Sequence, residues 1–593
     1  MFVGFIGQPT DFAQWRSLLA RHTAWLQMEH IDRSWSMRDG STLACAWLRK
    51  PNSGHLPCLE ESESWIKMRT WVAPPVQATS GQTEQWSGDK NSATVVAIPR
   101  DNMARIEVPL TTPEQVYYAP CRDGGAVFGN DMRFLLRWAG MRLDERALYS
   151  LMMCGTIVPP YTIAAGVRRI PNGHALTLGT GKVAPQLELM PDAVIKNWHT
   201  APVSDPARAV RDTLDSILGN TPTGSAVYFS GGVDSGLMAA RLAALGRRDV
   251  RLINFSFGPD DAEGQLARAM AQRLGLRLEQ VMYDPNDVMG VLDRLAIDYP
   301  LPFGDYSVLP MNMLVRASLT SSAGAPSCAV EGAAADDLFS VGVKYRQWKR
   351  WYRVPSPIRG SMGAAYAGLR LSESDSRAGR AGRVARRSVL MPLEGAGIFV
   401  QNSLAGIAYH PSRKVIQAIS TAIQSSYGPL TEGIAPEDRF SILFALHDVV
   451  GRVAHKSYML LRAYGARPLF PFLEPTMIQL SASLRWDQKV RDGVTKAPLK
   501  ELLAQQVGEE MVYRKKSGFI PPFEAMLTTR PMYDYLHDVA LSPHNPLAQR
   551  LDTPAVQRLI DRAYSGQALN LESYFFLWAV VFGSAWLYRL MTA

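Results

Sequence analysis

Residues 225–236 read SAVYFSGGVDSG, and the centre, Ser230-Gly231-Gly232-Val233-Asp234-Ser235, has the composition of an anion-binding turn. An apolar run precedes it, and LMAARLAALG follows it with helical spacing. A strand, a glycine-rich turn and a helix N-terminus together surround a ligand with backbone N–H groups and the positive end of a helix dipole. Gly231 and Gly232 permit close backbone approach, while Ser230 and Ser235 supply hydroxyl donors. The turn lacks the Gly-Lys-Ser/Thr ending of a Walker A loop, and Asp234 stands in it instead. A carboxylate beside a phosphate is repulsive unless a cation lies between them. Asp234 therefore points to Mg²⁺ bridging carboxylate and phosphate oxygens. The alternative is an ordinary glycine-rich turn.

The elements that must position this turn are legible around it. ARAVRDTLDSILGN, from Ala207, has apolar residues at helical spacing and ends in Gly-Asn. SAVYFS, LMAARLAALG, VRLINFSFG and AEGQLARAMAQRLG then alternate strand and helix, the pattern of a parallel α/β sheet with helices on its faces. From about Ser340 the chain reads as mostly helical. The first two hundred residues read as strand-prone and irregular, with long loops over Pro51–Ala93. TIVPPYTIAAGVRRIPNGHALTLGTG, from Thr156, predicts strands and a hairpin. The shift near residue 200 divides the chain into a β-rich part, 1–200, and an α/β part, 201–593.

Composition sets wider bounds. The 593 residues are 47% hydrophobic and 20% charged, the balance of a soluble globular protein. A net charge of +9 suits an anionic ligand such as a nucleotide, or an acidic peptide, and does not establish nucleic-acid binding. SRAGRAGRVARRS carries Arg377, Arg380, Arg383, Arg386 and Arg387 without interleaved aromatics for base stacking, and reads as a solvated insertion. Cys45, Cys58, Cys121, Cys154 and Cys328 never form a CxxC pair, which argues against a disulfide framework or a zinc site and for a reducing, cytoplasmic compartment. MFVGFIGQPTDF has no signal-peptide pattern. FFLWAVVFGSAWL falls short of the roughly 20 residues that span a bilayer, and reads as a buried C-terminal helix.

SGGxDS after a strand resembles the pyrophosphate loop of the ATP pyrophosphatase family, whose members cleave ATP between the α- and β-phosphates. Further segments resemble the asparagine-synthetase-like branch, in the same order. LAIDYPLPFGDYSVLP, from Leu295, is similar to D-E-P…A-D-x-S-x-x-P. CAVEGAAADDLFSVG, from Cys328, is similar to a strand leading into S-G-E-G-A-D-E-L-F. YGARPLFPFLE, from Tyr464, is similar to G-V-E-A-R-x-P-F-L-D, and YRKKSGF, from Tyr513, to R-x-K-x-G-F. GTIVPPYTIAAGVRRIPNGHAL resembles the end of that branch's N-terminal domain. The resemblance implies an α/β synthetase domain with a parallel sheet, joined to a β-rich domain like a degenerate Ntn glutaminase. It implies ATP binding by Ser230, Gly231, Gly232, Asp234, Ser235 and Gly332. It implies Mg²⁺ ligation by Asp234 and Asp336, and leaves Asp337 open. It gives Lys516 the role of stabilising the second chemical step. Without it, Asp336-Asp337 read as a helix N-cap pair and Lys515-Lys516 as a solvated pair. His174 reads as a structural hairpin residue, and Glu474 as site-shaping or fold-stabilising.

Two departures bear on the reaction. Glutamine-dependent asparagine synthetases carry a nucleophilic cysteine after the initiating methionine, where this chain has Phe2. The glutaminase half-reaction is therefore expected to be absent, as in β-lactam synthetases and lasso-peptide cyclases. Ala333 stands where asparagine synthetases have glutamate and β-lactam synthetases tyrosine. Together these favour a lasso-peptide cyclase. Such an enzyme adenylates an Asp or Glu side chain of a linear precursor peptide, and the peptide's N-terminal amine then closes a macrolactam, releasing AMP and pyrophosphate. An α-amine, with a reference pKa near ~8, needs less help from a base than a lysine-like amine near ~10. A leader peptidase and a precursor-recognition protein are the expected partners, with no nucleic acid and no membrane span. The alternatives are an ammonia-dependent asparagine synthetase, a β-lactam synthetase and a catalytically dead nucleotide-binding scaffold.

Overall fold

Strands Phe2–Gly7 and Thr42–Arg49 are almost wholly apolar, as strands covered on both faces must be. They lie at the centre of a six-stranded antiparallel sheet, in the order 168–170, 116–120, 125–129, 2–7, 42–49, 29–36. A second six-stranded antiparallel sheet runs 186–189, 174–179, 103–108, 94–98, 66–69, 58–61. Phe2, Ile6 and Leu43 from the first sheet meet Val95, Ile106 and Leu176 from the second in one apolar core. The computed structural model describes residues 1–51, 58–62, 64–70, 76–77, 83–84, 93–181, 183–193, 203–340, 353–368, 376–378, 381, 411–434, 436–514, 523–567 and 569–592.

Two local expectations for this region need correction. Helix Pro9–Leu26 is not among the predicted elements. It buries Trp15, Leu18, Leu19 and Leu26 at helical spacing, but Arg16, Arg21 and His22 between them dilute the stripe. The Pro171-Asn172-Gly173 turn does not make a hairpin. It carries the chain from Arg168–Ile170 in one sheet to His174–Gly179 in the other, with Gly173 at φ +77°.

The predicted strand–helix alternation forms a five-stranded parallel sheet. Its strands are β1 (Ala226–Tyr228), β2 (Arg251–Ser256), β3 (Arg277–Met282), β4 (Cys328–Val330) and β5 (Arg467–Leu469), in the order β3-β2-β1-β4-β5. Helices α1 (Pro206–Leu218), α2 (Val233–Ala244) and α3 (Ala262–Leu274) occupy the predicted segments. The strand order reverses between β1 and β4, and a crevice opens for ligands beyond the carboxyl ends of strands at such a point. The helix Leu571–Thr592 is long and apolar enough to cross a membrane, yet 72% of its apolar window is buried in the protein. Its Trp586 indole donates to the carbonyl of Tyr299 at 3.0 Å.

The antiparallel and parallel sheets belong to one packed body. Arg133 is fully buried, pairs with Asp131 at 2.7 Å, and donates to the carbonyls of Ala296 and Ile297 at 3.0 and 2.7 Å. Those carbonyls end the helix Asp287–Asp298, where a cation also complements the helix dipole. His22 Nε2 lies 3.0 Å from the same Asp131 oxygen, Oδ2, that the Arg133 guanidinium contacts at 2.7 Å. Burial alone would raise the Asp131 carboxyl, but the Arg133 guanidinium and His22 hold it far below the usual carboxylate range. Arg133→Met strands a buried carboxylate and leaves helix-terminal carbonyls unsatisfied. Chemical denaturation should show a loss on the order of 3–5 kcal/mol.

Candidate active site

β1 ends at Tyr228, and the chain turns through Ser230–Gly232 into α2. Gly231 has φ +72°, and a Cβ there would lie 2.9 Å from the backbone nitrogen of Ala267 in α3. Only glycine fits this position without displacing backbone. The Ser230 amide donates to Ser235 Oγ at 3.1 Å, the two serine hydroxyls lie 3.1 Å apart, and the Gly232 amide donates to Ser230 Oγ at 3.2 Å. The turn is thus closed by its own serines, with the N-terminus of α2 at its base. No side chain caps that terminus.

The segment after β4 meets this turn. A Cβ on Gly332 would stand 3.0 Å from Asp234 Cβ, so glycine lets the two loops touch. Helix Ala335–Phe339 follows, and its N-cap is Ala334 at φ +79°. The N-cap reading of Asp336-Asp337 is therefore overturned, since both lie within the first helical turn. Asp336 is 49% exposed on the site side, whereas Asp337 is buried. Lys496, at the start of helix Ala497–Val507, joins the two acids. Its Nζ is 2.6 and 2.7 Å from the oxygens of Asp234 and 2.7 Å from Asp336 Oδ1, with the side chain only 6% exposed. Desolvation pulls the Lys496 ammonium down, but the two carboxylates outweigh it and raise its pKa.

Asp234 and Asp336 therefore converge from separate segments. Among the described residues no group of three or more His, Cys, Asp or Glu side chains is placed to hold a metal ion. Two carboxylates nonetheless fit Mg²⁺ in a nucleotide site, where the ion takes one or two protein carboxylates, substrate phosphates and waters. Lys515 and Lys516 lie outside the described residues, as does most of the Arg377–Arg387 stretch.

A cavity of about 300 Å³ opens at the switch point, lined by Tyr228, Ser230, Asp234, Asn254, Glu331 and Ala333 among others. Ala333 leaves its part of the wall without a polar group. Glu331 Oε2 accepts from Ser457 Oγ at 2.5 Å, and burial pushes its carboxyl up to about 6. Sequence reasoning did not single out Lys496 or Glu331. Lys496 precedes an ordinary Ala-Pro-Leu helix start, and its two acidic partners come from distant segments. Glu331 had a visible signal, a charged residue directly after an apolar strand.

Other candidates sit elsewhere. His174 begins a strand of the N-terminal sheet, with Nδ1 3.0 Å from the carbonyl of Asn172 and its pKa lowered by burial. Glu474 stands at the N-cap of helix Pro475–Ser483. The Phe2 ring is buried between the sheets, 5.6 Å from Trp47. Burial pushes the Cys121 and Cys328 thiols up to about 12, and raises Cys45 and Cys154 as well, so none of these offers a thiolate near neutral pH.

The family model described as asparagine synthase matches residues 211–586. A protein named putative asparagine synthetase [glutamine-hydrolyzing] from Mycobacterium tuberculosis is 22% identical over 488 residues, covering 77% of this chain and 72% of that protein. Asparagine synthetase [glutamine-hydrolyzing] 1 from Bacillus subtilis is 21% identical over 440 residues, covering 70% and 64%.

Lys496→Met would remove the buried ammonium that Asp234 and Asp336 share. Thermal denaturation at neutral pH should show a loss on the order of 3 kcal/mol. Magnesium chloride should restore part of it in the variant. The raised pKa means that the lysine's contribution is fully present below its ordinary value and is lost as pH rises through the raised one. The difference between wild type and variant should therefore persist through neutral pH and shrink only in strong alkali. Gly231→Ala, strained by its φ and its contact with Ala267, should weaken ATP binding at least about tenfold in calorimetry, the effect of 1.4 kcal/mol.

Proposed function

The chain belongs to the asparagine synthase family, and on that premise we propose that it closes a macrolactam in a linear peptide, driven by ATP. Membership implies an ATP-dependent carbon–nitrogen ligase. The observation that carries the finer reading is Ala333 on the cavity wall, where no side chain can bind or deprotonate a small amine at that position. A peptide that brings its own amine and carboxylate into the cavity supplies the missing positioning through its own fold.

In this reading ATP places its phosphates against the Ser230–Ser235 turn and the N-terminus of α2. An Asp or Glu side chain of the peptide attacks the α-phosphate, forming an acyl-adenylate as pyrophosphate departs. Asp234 and Asp336 would hold Mg²⁺, which supplies charge neutralisation for the phosphates. Lys496 keeps the two aspartates together and adds fixed positive charge beside the leaving group. The peptide's N-terminal amine then attacks the acyl carbon and expels AMP. Lys516, by its motif, assists this second step. A leader peptidase and a precursor-recognition protein would deliver the peptide.

A second reading is asparagine formation from aspartate and free ammonia. The relatives, named as asparagine synthetases, favour it.

The test supplies protein with ATP, magnesium chloride and linear peptides that carry a free N-terminus and one Asp or Glu at successive positions. The expected products are AMP, pyrophosphate and a peptide lighter by one water. Acetylating the N-terminus should abolish ring closure. ADP in place of AMP would sink adenylation altogether. Asparagine from aspartate and ammonium chloride, with no dehydrated peptide, would establish the second reading. Asp234→Ala and Asp336→Ala should each lower pyrophosphate release at least about 100-fold with the circular dichroism spectrum unchanged.

A further inference from the structure

Glu331 is a carboxylate that the adenylation chemistry does not use. It follows the last residue of β4, and its amide donates to the carbonyl of Leu469 on β5 at 2.9 Å, which fixes its backbone. Its side chain is part of the same cavity wall as Ser230, Asp234 and Ala333. One hydroxyl, Ser457 Oγ, donates to Oε2 at 2.5 Å. Among the described residues it forms no ion pair. Lys456, whose charge lowers the Glu331 carboxyl somewhat, is itself held by Asp305 at 2.7 Å and by Ser307 at 2.6 Å, and Arg452 sits 3.2 Å from Asp305 on its other oxygen. The remaining titratable groups around it are Tyr228, whose hydroxyl lies 3.0 Å from Ser318, and the Asp234–Lys496 pair at the turn.

We propose that Glu331 takes the proton from the attacking amine in the amide-forming step, in place of any group at 333. The proposal rests on the reading of this site as an adenylating amide synthetase. The amine nitrogen forms a bond to the acyl carbon, and the carbon–oxygen bond to AMP breaks with its electron pair leaving on the phosphate. The ammonium proton passes to Glu331, which returns it to solvent. A base for this task works best with a pKa close to the operating pH, and burial brings the Glu331 carboxyl up to about 6. It is mostly ionised at pH 7, so it accepts a proton there. Below about pH 6 it is already protonated and cannot.

The experiment uses full-length protein with ATP, magnesium chloride and the same peptide panel, and reads the half-reactions separately. Glu331→Gln should retain pyrophosphate exchange into ATP within a few-fold. It should also retain capture of the acyl group by hydroxylamine, a nucleophile already neutral at pH 7. Ring closure should fall about 100-fold or more. The acid limb of the wild-type closure rate, rising through about pH 6, should vanish in the variant. Ser457→Ala removes the bond that favours the ionised form, so its limb should move to higher pH; Glu331→Asp should recover part of the rate. Closure by Glu331→Gln at the wild-type rate, with its acid limb intact, overturns the role of Glu331 and leaves adenylation standing. Equal loss of exchange, capture and closure overturns it too, because the residue would then serve the first step or the fold. ADP production by the wild type overturns the adenylation reading and this proposal together.

Discussion

One ammonium group ties the site together. Lys496 Nζ contacts Asp234 from the turn after β1 and Asp336 from the segment after β4, and the lysine itself opens the helix Ala497–Val507. Three segments separated by more than a hundred residues at each step meet at one charge. Two carboxylates this close repel each other, so the arrangement needs a cation between them. The lysine meets that need within the chain, and the acids remain paired and aimed at the place where phosphates would arrive. The neighbouring glycines follow from the same constraint. Gly231 lets the turn press on α3, and Gly332 lets the two acid-bearing segments touch. A larger residue at 332 would press on Asp234 and disturb the geometry that the lysine stabilises.

Behind this pair, environment separates two other carboxyl groups that lie close together. Desolvation alone would raise Asp305, but Lys456 and Arg452 bring it far below the ordinary range. At Glu331 burial outweighs the Ser457 hydroxyl and the Lys456 charge, so its carboxyl rises. Groups whose surroundings push their pKa values apart in this way divide into fixed charges and proton carriers. Asp305 is a fixed negative charge that occupies Lys456. Its negative charge also adds to the rise of the Glu331 carboxyl.

The sequence disclosed most of the parallel sheet because α/β units advertise themselves. Short β-branched runs, a glycine turn and an amphipathic helix recur within about thirty residues each, a local pattern. Helices α1, α2 and α3 lie where the spacing places them. The antiparallel half was less legible. Its strands pair across long separations, as Phe2–Gly7 does with Gly125–Gly129, and the Pro171–Gly173 turn links two sheets rather than two neighbouring strands. At the site, Asp234 and Asp336 were readable because they sit in compact motifs. Lys496 was not, because an isolated lysine at a helix start carries no mark of the two acids it will meet. Only tertiary structure brings them within 3 Å.

The antiparallel sheets also explain how Glu331 keeps its surroundings. Ala445–Val453 is a wide, π-type helical turn that runs straight into the helix Ala454–Ala463, which carries Lys456 and Ser457. Such turns loosen the regular i to i−4 bonding and need outside partners. The first 200 residues provide them. Gln115 and Thr156 both donate to the carbonyl of Gly451, at 3.0 and 3.2 Å. His455 Nδ1 lies 2.5 Å from the carbonyl of Pro113, and Arg462 pairs with Glu114 at 3.4 Å. These bonds grip the helix on both sides of Ser457. The β-rich region thus has a structural task that needs no nucleophile of its own. It fixes the helix whose hydroxyl binds Glu331 and whose lysine is held by Asp305. These four contacts all come from residues 113–156, the part of the β-rich region that packs on this helix.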